Sequence, residues 1–169
     1  MGTKERLAEG LKRLARHVPG IGSYQDKESL REGDKKLRDT LALRLDSARK
    51  PLEEVIDSLQ RDGRLAHLDR LGRLDRKLHH CADTIRFASR GYAGTFDTVK
   101  IGEKELEQLY AFDIALAESV SAIQEAAEGL KGASAEAIAG DALTPLENQL
   151  ASFENKVKER GVFLQEPTA

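Results

Sequence analysis

An all-α fold, an antiparallel four-helix-type bundle of long helices preceded by an amphipathic helical arm, is what this sequence predicts, and three features point to it. Leucines recur at spacings of three and four through most of the 169 residues. Apolar residues make up 40% and charged residues 33%, the mixture that amphipathic helices need. Aromatic residues are only 5% and tryptophan is absent, which is thin for a sandwich or a barrel. The length suits one domain with a sizeable core.

The first helix is expected over residues 3–18, where Leu7, Leu11, Leu14 and Val18 form one narrow stripe. Lys4, Arg6, Lys12, Arg13, Arg16 and His17 occupy much of the remaining surface. Pro19-Gly20-Ile21-Gly22 stops this helix, because proline cannot continue the hydrogen-bond ladder. The chain therefore divides into an arm, 1–19, a helical body, 20–164, and a loose tail, 165–169.

The body opens with a long helix over 25–61, whose stripe of Leu30, Leu37, Leu41, Leu45, Ala48, Leu52, Val55 and Leu59 keeps near-heptad spacing. Pro51 sits inside it, so a kink rather than a break is expected near Ser47 to Pro51, since the stripe continues in phase. Asp62-Gly63 supplies a turn. A further helix over 64–89 buries Leu65, Leu68, Leu71, Leu74, Leu78, Cys81, Ile85 and Ala88, and Gly91-Tyr92-Ala93-Gly94 ends it.

The next helix, over 103–130, carries the stripe Leu106, Leu109, Leu116, Val120, Ile123, Ala127 and Leu130. A glycine- and alanine-rich connector follows as far as Gly140. Thr144-Pro145-Leu146-Glu147 then has the chemistry of a helix start: a threonine cap, proline at the first helical position and glutamate at the capping-box position. The last helix carries Leu146, Leu150, Phe153 and Val157. Short joins make these helices antiparallel neighbours.

Composition also narrows function. A single cysteine, Cys81, excludes an internal disulfide framework and multi-cysteine zinc motifs; its stripe position makes it a small core hydrophobe. No apolar run approaches the roughly 20 residues needed to cross a bilayer, and the first helix is too charged for a signal-peptide core, so a soluble, cytoplasmic protein is expected. P-loop, HExxH, GxSxG and GxGxxG motifs are absent, as are the Glu-x-x-His pairs of bundle di-iron sites, and the reading leans away from an enzyme. The net charge of −2 conceals a split: residues 1–90 carry 21 Lys/Arg against 15 Asp/Glu, and residues 91–169 carry 6 against 14. Basic and acidic helices packed on one another would satisfy that split internally.

Four places hold candidate chemistry. Asp34 and Asp113 fall on apolar stripes, and a buried carboxylate needs a cation or several donors. Folding the 64–89 helix antiparallel onto the 103–130 helix places Asp113 level with His79, Asp83 and Arg86. Two readings follow. A buried polar layer of Asp34, Arg86 and Asp113 is preferred; the alternative is a divalent metal ion held by His79, Asp83 and Asp113. The loop with Tyr92, Phe96 and Asp97 either closes the end of the core or binds a partner.

The arm is the fourth place. Its Leu/Val stripe backed by Lys/Arg suits an anionic membrane surface or a partner helix, or else docking on the body. Its position ahead of long helices resembles the layout of bacterial membrane-stress proteins of the phage-shock and ESCRT-III-like type. That resemblance covers the arm and the long helices and is carried by no shared motif. It implies a stress-associated place at the membrane periphery.

The arginines of the 64–89 helix are interspersed with Asp69, Asp75 and Asp83, which reads as surface ion pairing rather than a nucleic-acid track. The leading expectation is thus a non-enzymatic interaction or scaffold protein without cofactor. It would meet a protein partner or an anionic membrane through Lys4, Leu7, Leu11, Lys12, Arg13, Leu14, Arg16 and Val18. Long heptad stripes also allow a homo-oligomer.

Overall fold

The computed structural model describes residues 1–23, 26–88 and 102–165. Seven helices are formed among them: α1 (Thr3–His17), α2 (Lys27–Ser47), α3 (Arg49–Arg61), α4 (Leu68–Arg86), α5 (Glu103–Glu128), α6 (Ala135–Ala139) and α7 (Thr144–Gln165). The protein is all-α, and among the described residues no helix is long and apolar enough to cross a membrane.

Local chemistry starts these helices. The Gly2 and Gly102 amides donate to the carboxylates of Glu5 and Glu105, three residues on, at 2.7 and 3.0 Å. Asp26 caps α2 by accepting from the Ser29 amide at 2.7 Å, and the Asp26 amide donates back to the Ser29 hydroxyl at 2.9 Å. Each device satisfies a backbone donor that the first turn leaves free.

The helix expected over 64–89 ends at Arg86, and two further boundaries also differ from the sequence-based expectation. The 25–61 rod is divided at Ala48, so that Pro51 occupies the third position of α3, where its missing N–H costs no helical bond. The disturbance lies inside the expected 47–51 window, but it divides the rod into two helices where a kink in one helix was expected. The 64–89 helix begins only at Leu68, because His67 takes a left-handed conformation (φ 74°) and 64–67 are spent on the turn. Leu65, expected in the apolar face, is consequently 66% exposed.

Ion pairs and hydrogen bonds give the register of the rods. α2 and α4 are antiparallel, with His79 3.5 Å from Asp46 and Arg38 donating to the Arg86 carbonyl at the end of α4, and Arg49 at the start of α3 continues that register on Asp75 at 2.8 Å. α4 and α7 run parallel, joined by Arg70–Glu147 and Lys77–Glu154. α7 and α5 are antiparallel, and α5 runs parallel to α2, with Arg44 bonded to Ser121 and Gln124. The four corners in order are therefore α2, α4, α7 and α5. Consecutive α4 and α5 stand diagonally rather than side by side, so neighbouring rods are antiparallel in two cases and parallel in two.

α1 lies along α5, parallel to it, through Arg6–Glu107 and Arg13–Glu118 at 2.8 and 3.1 Å. Leu14 and Val18 are fully buried in the common core, and Leu7 and Leu11 pack on it partly exposed. Burial of Leu14 and Val18 is worth about 1.5 to 3 kcal/mol each. The arm is thus a docked fifth helix. At its end Gly20 adopts φ +78°, and its carbonyl accepts from Lys36 Nζ at 3.1 Å.

Candidate functional site

The heptad stripe of α7 runs Leu146, Leu150, Phe153, Val157, Arg160 and Leu164, all buried, so one arginine occupies a core position. Arg160 meets both stripe aspartates. Its Nε donates to Asp113 Oδ1 at 2.6 Å and its Nη2 to Asp34 Oδ1 at 2.8 Å. Arg38 Nε donates to the other oxygen of Asp34 at 2.7 Å. Asp34, Arg38, Asp113 and Arg160 are all at most 6% exposed. Two guanidinium groups face two carboxylates, so the layer is neutral in sum. Burial opposes the charge on Arg160, but Asp113 and Asp34 beside it more than compensate and raise its pKa.

Arg86 is not part of this layer, a correction to the expected set. It lies on the surface between α2 and α4, donating to Asp46 at 2.6 Å and Asp83 at 2.7 Å. Its hydrogen bond to Asp46 is the main cause of its raised pKa, outweighing its desolvation. The diagonal placement of α4 and α5 is the physical reason: Asp113 faces α7 and α2, which supply Arg160 and the Asp34 level, and not α4.

The same geometry separates the expected metal ligands. His79 lies 3.5 Å from both Asp46 and Asp83, half-exposed, while Asp113 is bonded to Arg160 in the core. Among the described residues no group of three or more His, Cys, Asp or Glu is placed to hold a metal ion. Cys81 is fully buried, and burial pushes its thiol up to about 12, the opposite of what a nucleophile needs. Tyr92, Phe96 and Asp97 lie outside the described residues.

The arm's expected contact residues divide between two surfaces. Leu7, Leu11, Leu14 and Val18 are turned onto α5 and the core, and Arg13 is paired with Glu118. Lys4, Lys12 and Arg16 remain exposed. Across the molecule, Arg6, Arg13, Arg64, Arg70 and Lys77 each pair with a glutamate of the acidic half. The charge split is thus largely met inside the molecule.

A surface that the sequence stripes did not mark lies between α5 and α7. A groove of about 810 Å³ runs there, lined by Ala111, Phe112 and Ala115 of α5 and by Val162 and Phe163 of α7. The rings of Phe112 and Phe163 are 5.1 Å apart, tilted at 36°. Val162 is 63% exposed. Gln108, Lys156, Lys158 and Glu159 border the groove. The signal in the sequence was the run Val162-Phe163-Leu164: only Leu164 falls on the core stripe, which leaves two apolar residues outside it.

The buried layer positions this groove. Asp113 follows Phe112 directly, and Arg160 is one turn before Phe163, so the Arg160–Asp113 bond holds the register that brings the two rings together. No protein-family model, curated protein or solved structure matches the chain, and its functional reading rests on this geometry.

Proposed function

We propose that the protein acts by protein–protein contact and that the groove between α5 and α7 receives a helix of a partner protein. The observation that carries this reading is an apolar groove in which exposed Val162 and the half-buried rings of Phe112 and Phe163 stand beside Ala111 and Ala115. Ala111 and Ala115 are four apart on one helix face and leave room for close approach of another backbone. A helix laid in an apolar groove through residues at i, i+3 or i+4, and i+7 is a common mode of recognition. The lining positions on α5, 108 to 115, span two turns, about 10 Å.

The groove is preferred over the arm for a physical reason. A membrane or partner could take the apolar stripe of α1 only after α1 leaves the core, whereas Val162 is exposed as the protein stands. The reading is tested with a fluorescein-labelled amphipathic peptide of leucine and alanine on one face and glutamine on the other. Binding that perturbs amide resonances of 108–115 and 156–163, and is lost in Val162→Asp with an unchanged circular dichroism spectrum, supports it. Absence of binding by any peptide of this type, or binding untouched by Val162→Asp, overturns it.

A further inference from the structure

The charges around the groove specify its occupant more closely, in an inference that rests on the helix-binding reading. Residues 91–169 carry 6 Lys/Arg against 14 Asp/Glu, and four of the nine glutamates of α5 and α7 are paired with cations of other helices. On α5, Glu107 and Glu118 are held by Arg6 and Arg13 of α1. On α7, Glu147 and Glu154 are held by Arg70 and Lys77 of α4. The cations of the same half are distributed differently. Among the described residues Arg160 is in the core, Lys131 is paired with Glu128 and Lys104 is exposed at the start of α5, while Lys156 and Lys158 both border the apolar groove. Glu159 is the one carboxylate among the groove's lining residues. The more acidic half of the molecule therefore presents a lysine-flanked apolar surface.

We propose that the partner is an acidic amphipathic helix, its apolar face on Phe112, Val162 and Phe163 and its carboxylates beside Lys156 and Lys158. Lys156 is already oriented by one hydrogen bond, donated to Ser152 at 2.6 Å, and an ammonium has two further donors to offer. Lys158 is exposed. Rim charges of this kind select among partners and speed their association more than they add affinity.

The test uses the full chain and three synthetic peptides with one leucine/alanine face and glutamate, glutamine or lysine on the other. Their dissociation constants are compared at 0.05 and 0.5 M salt. The glutamate peptide should bind tightest, about fivefold better than the glutamine peptide at low salt, with the advantage gone at high salt. In the Lys156→Glu/Lys158→Glu variant the order should reverse toward the lysine peptide. Equal binding of all three, with resonances of the groove perturbed, overturns the acidic partner while leaving the helix-binding reading standing; no binding by any of them overturns both. Sedimentation of the chain alone is the second control. A dimer that Val162→Asp dissociates would give the groove to a second copy and overturn the proposal.

Discussion

Arg160 Nε donates to Asp113 Oδ1 across 2.6 Å in the centre of the molecule, where the two residues are 2% and 0% exposed. This bond joins α7 to α5 at the level of Asp34 on α2, so a single guanidinium holds the register of three rods. It acts directly behind the Phe112–Phe163 pair that walls the groove. A charge buried this deeply does more for the specificity of packing than for its strength, since well-packed apolar replacements of buried ion pairs often match them in stability.

Arg160→Met removes the shared cation and leaves Asp113 and Asp34 in the core with one guanidinium fewer between them. We expect a loss of about 3 to 5 kcal/mol in urea denaturation. Replacing Asp34, Arg38, Asp113 and Arg160 together by leucine or methionine should recover most of that loss. If Arg160→Met alone unfolds as the native chain does, the layer does not hold the rods.

The arm should behave as part of the core. Leu14→Ala is expected to cost about 2 to 5 kcal/mol, the range for a buried leucine, whereas Arg13→Ala, at an exposed ion pair, should cost less than about 1 kcal/mol. Removal of residues 1–19 should lower the melting temperature. Full-length protein should not float with anionic liposomes at physiological salt, because Leu14 and Val18 are not available to the bilayer.

Gly20 is needed where α1 turns back toward α2. Its φ of +78° is a left-handed conformation, and a Cβ there would lie 2.8 Å from Lys36 Nζ, which bonds the Gly20 carbonyl. Gly20→Ala should destabilise by about 1 to 2 kcal/mol from the backbone alone. Gly22→Ala, with open space at its Cβ, is the matched control in thermal melts.

His17 confers a pH dependence of definite sign. Burial, and then the neighbouring Arg44, lower its pKa from 6.5, so the folded chain takes up the proton less readily than the unfolded one. Stability contributed by neutral His17 is present above pH 6.5 and falls as the pH drops through 6.5 toward the folded value. Urea midpoints measured from pH 7.5 to 5 should show a steeper decline for the native chain than for His17→Asn. Parallel profiles would show that His17 does not contribute.

Much of the fold was legible in the residues. The stripes locate most helices because a helix must bury a face of period 3.6, and Pro51 marks where the long rod is disturbed because proline has no N–H for the ladder, although a kink was expected and the rod is divided at Ala48. The late start of α4 was not legible: Leu65 continues the stripe in spacing, but the left-handed backbone at His67 takes it out of the helix. The candidate site was half legible. Asp34 and Asp113 stood out as charges on apolar stripes, and Arg160 continues the four-three spacing of its own helix in the same way, one step past Val157.

What the residues determined alone is therefore local: helical periodicity, caps, breaks, and which charges must find partners. Which helix becomes the neighbour of which was decided only in three dimensions. The stripes of α4 and α5 are equally able to face one another or to stand diagonally, since both arrangements bury the same leucines. The packed structure places them diagonally, and with that choice Asp113 meets Arg160 instead of Arg86. The groove beside it is a consequence of the same choice, formed where α5 and α7 meet and belonging to neither helix by itself.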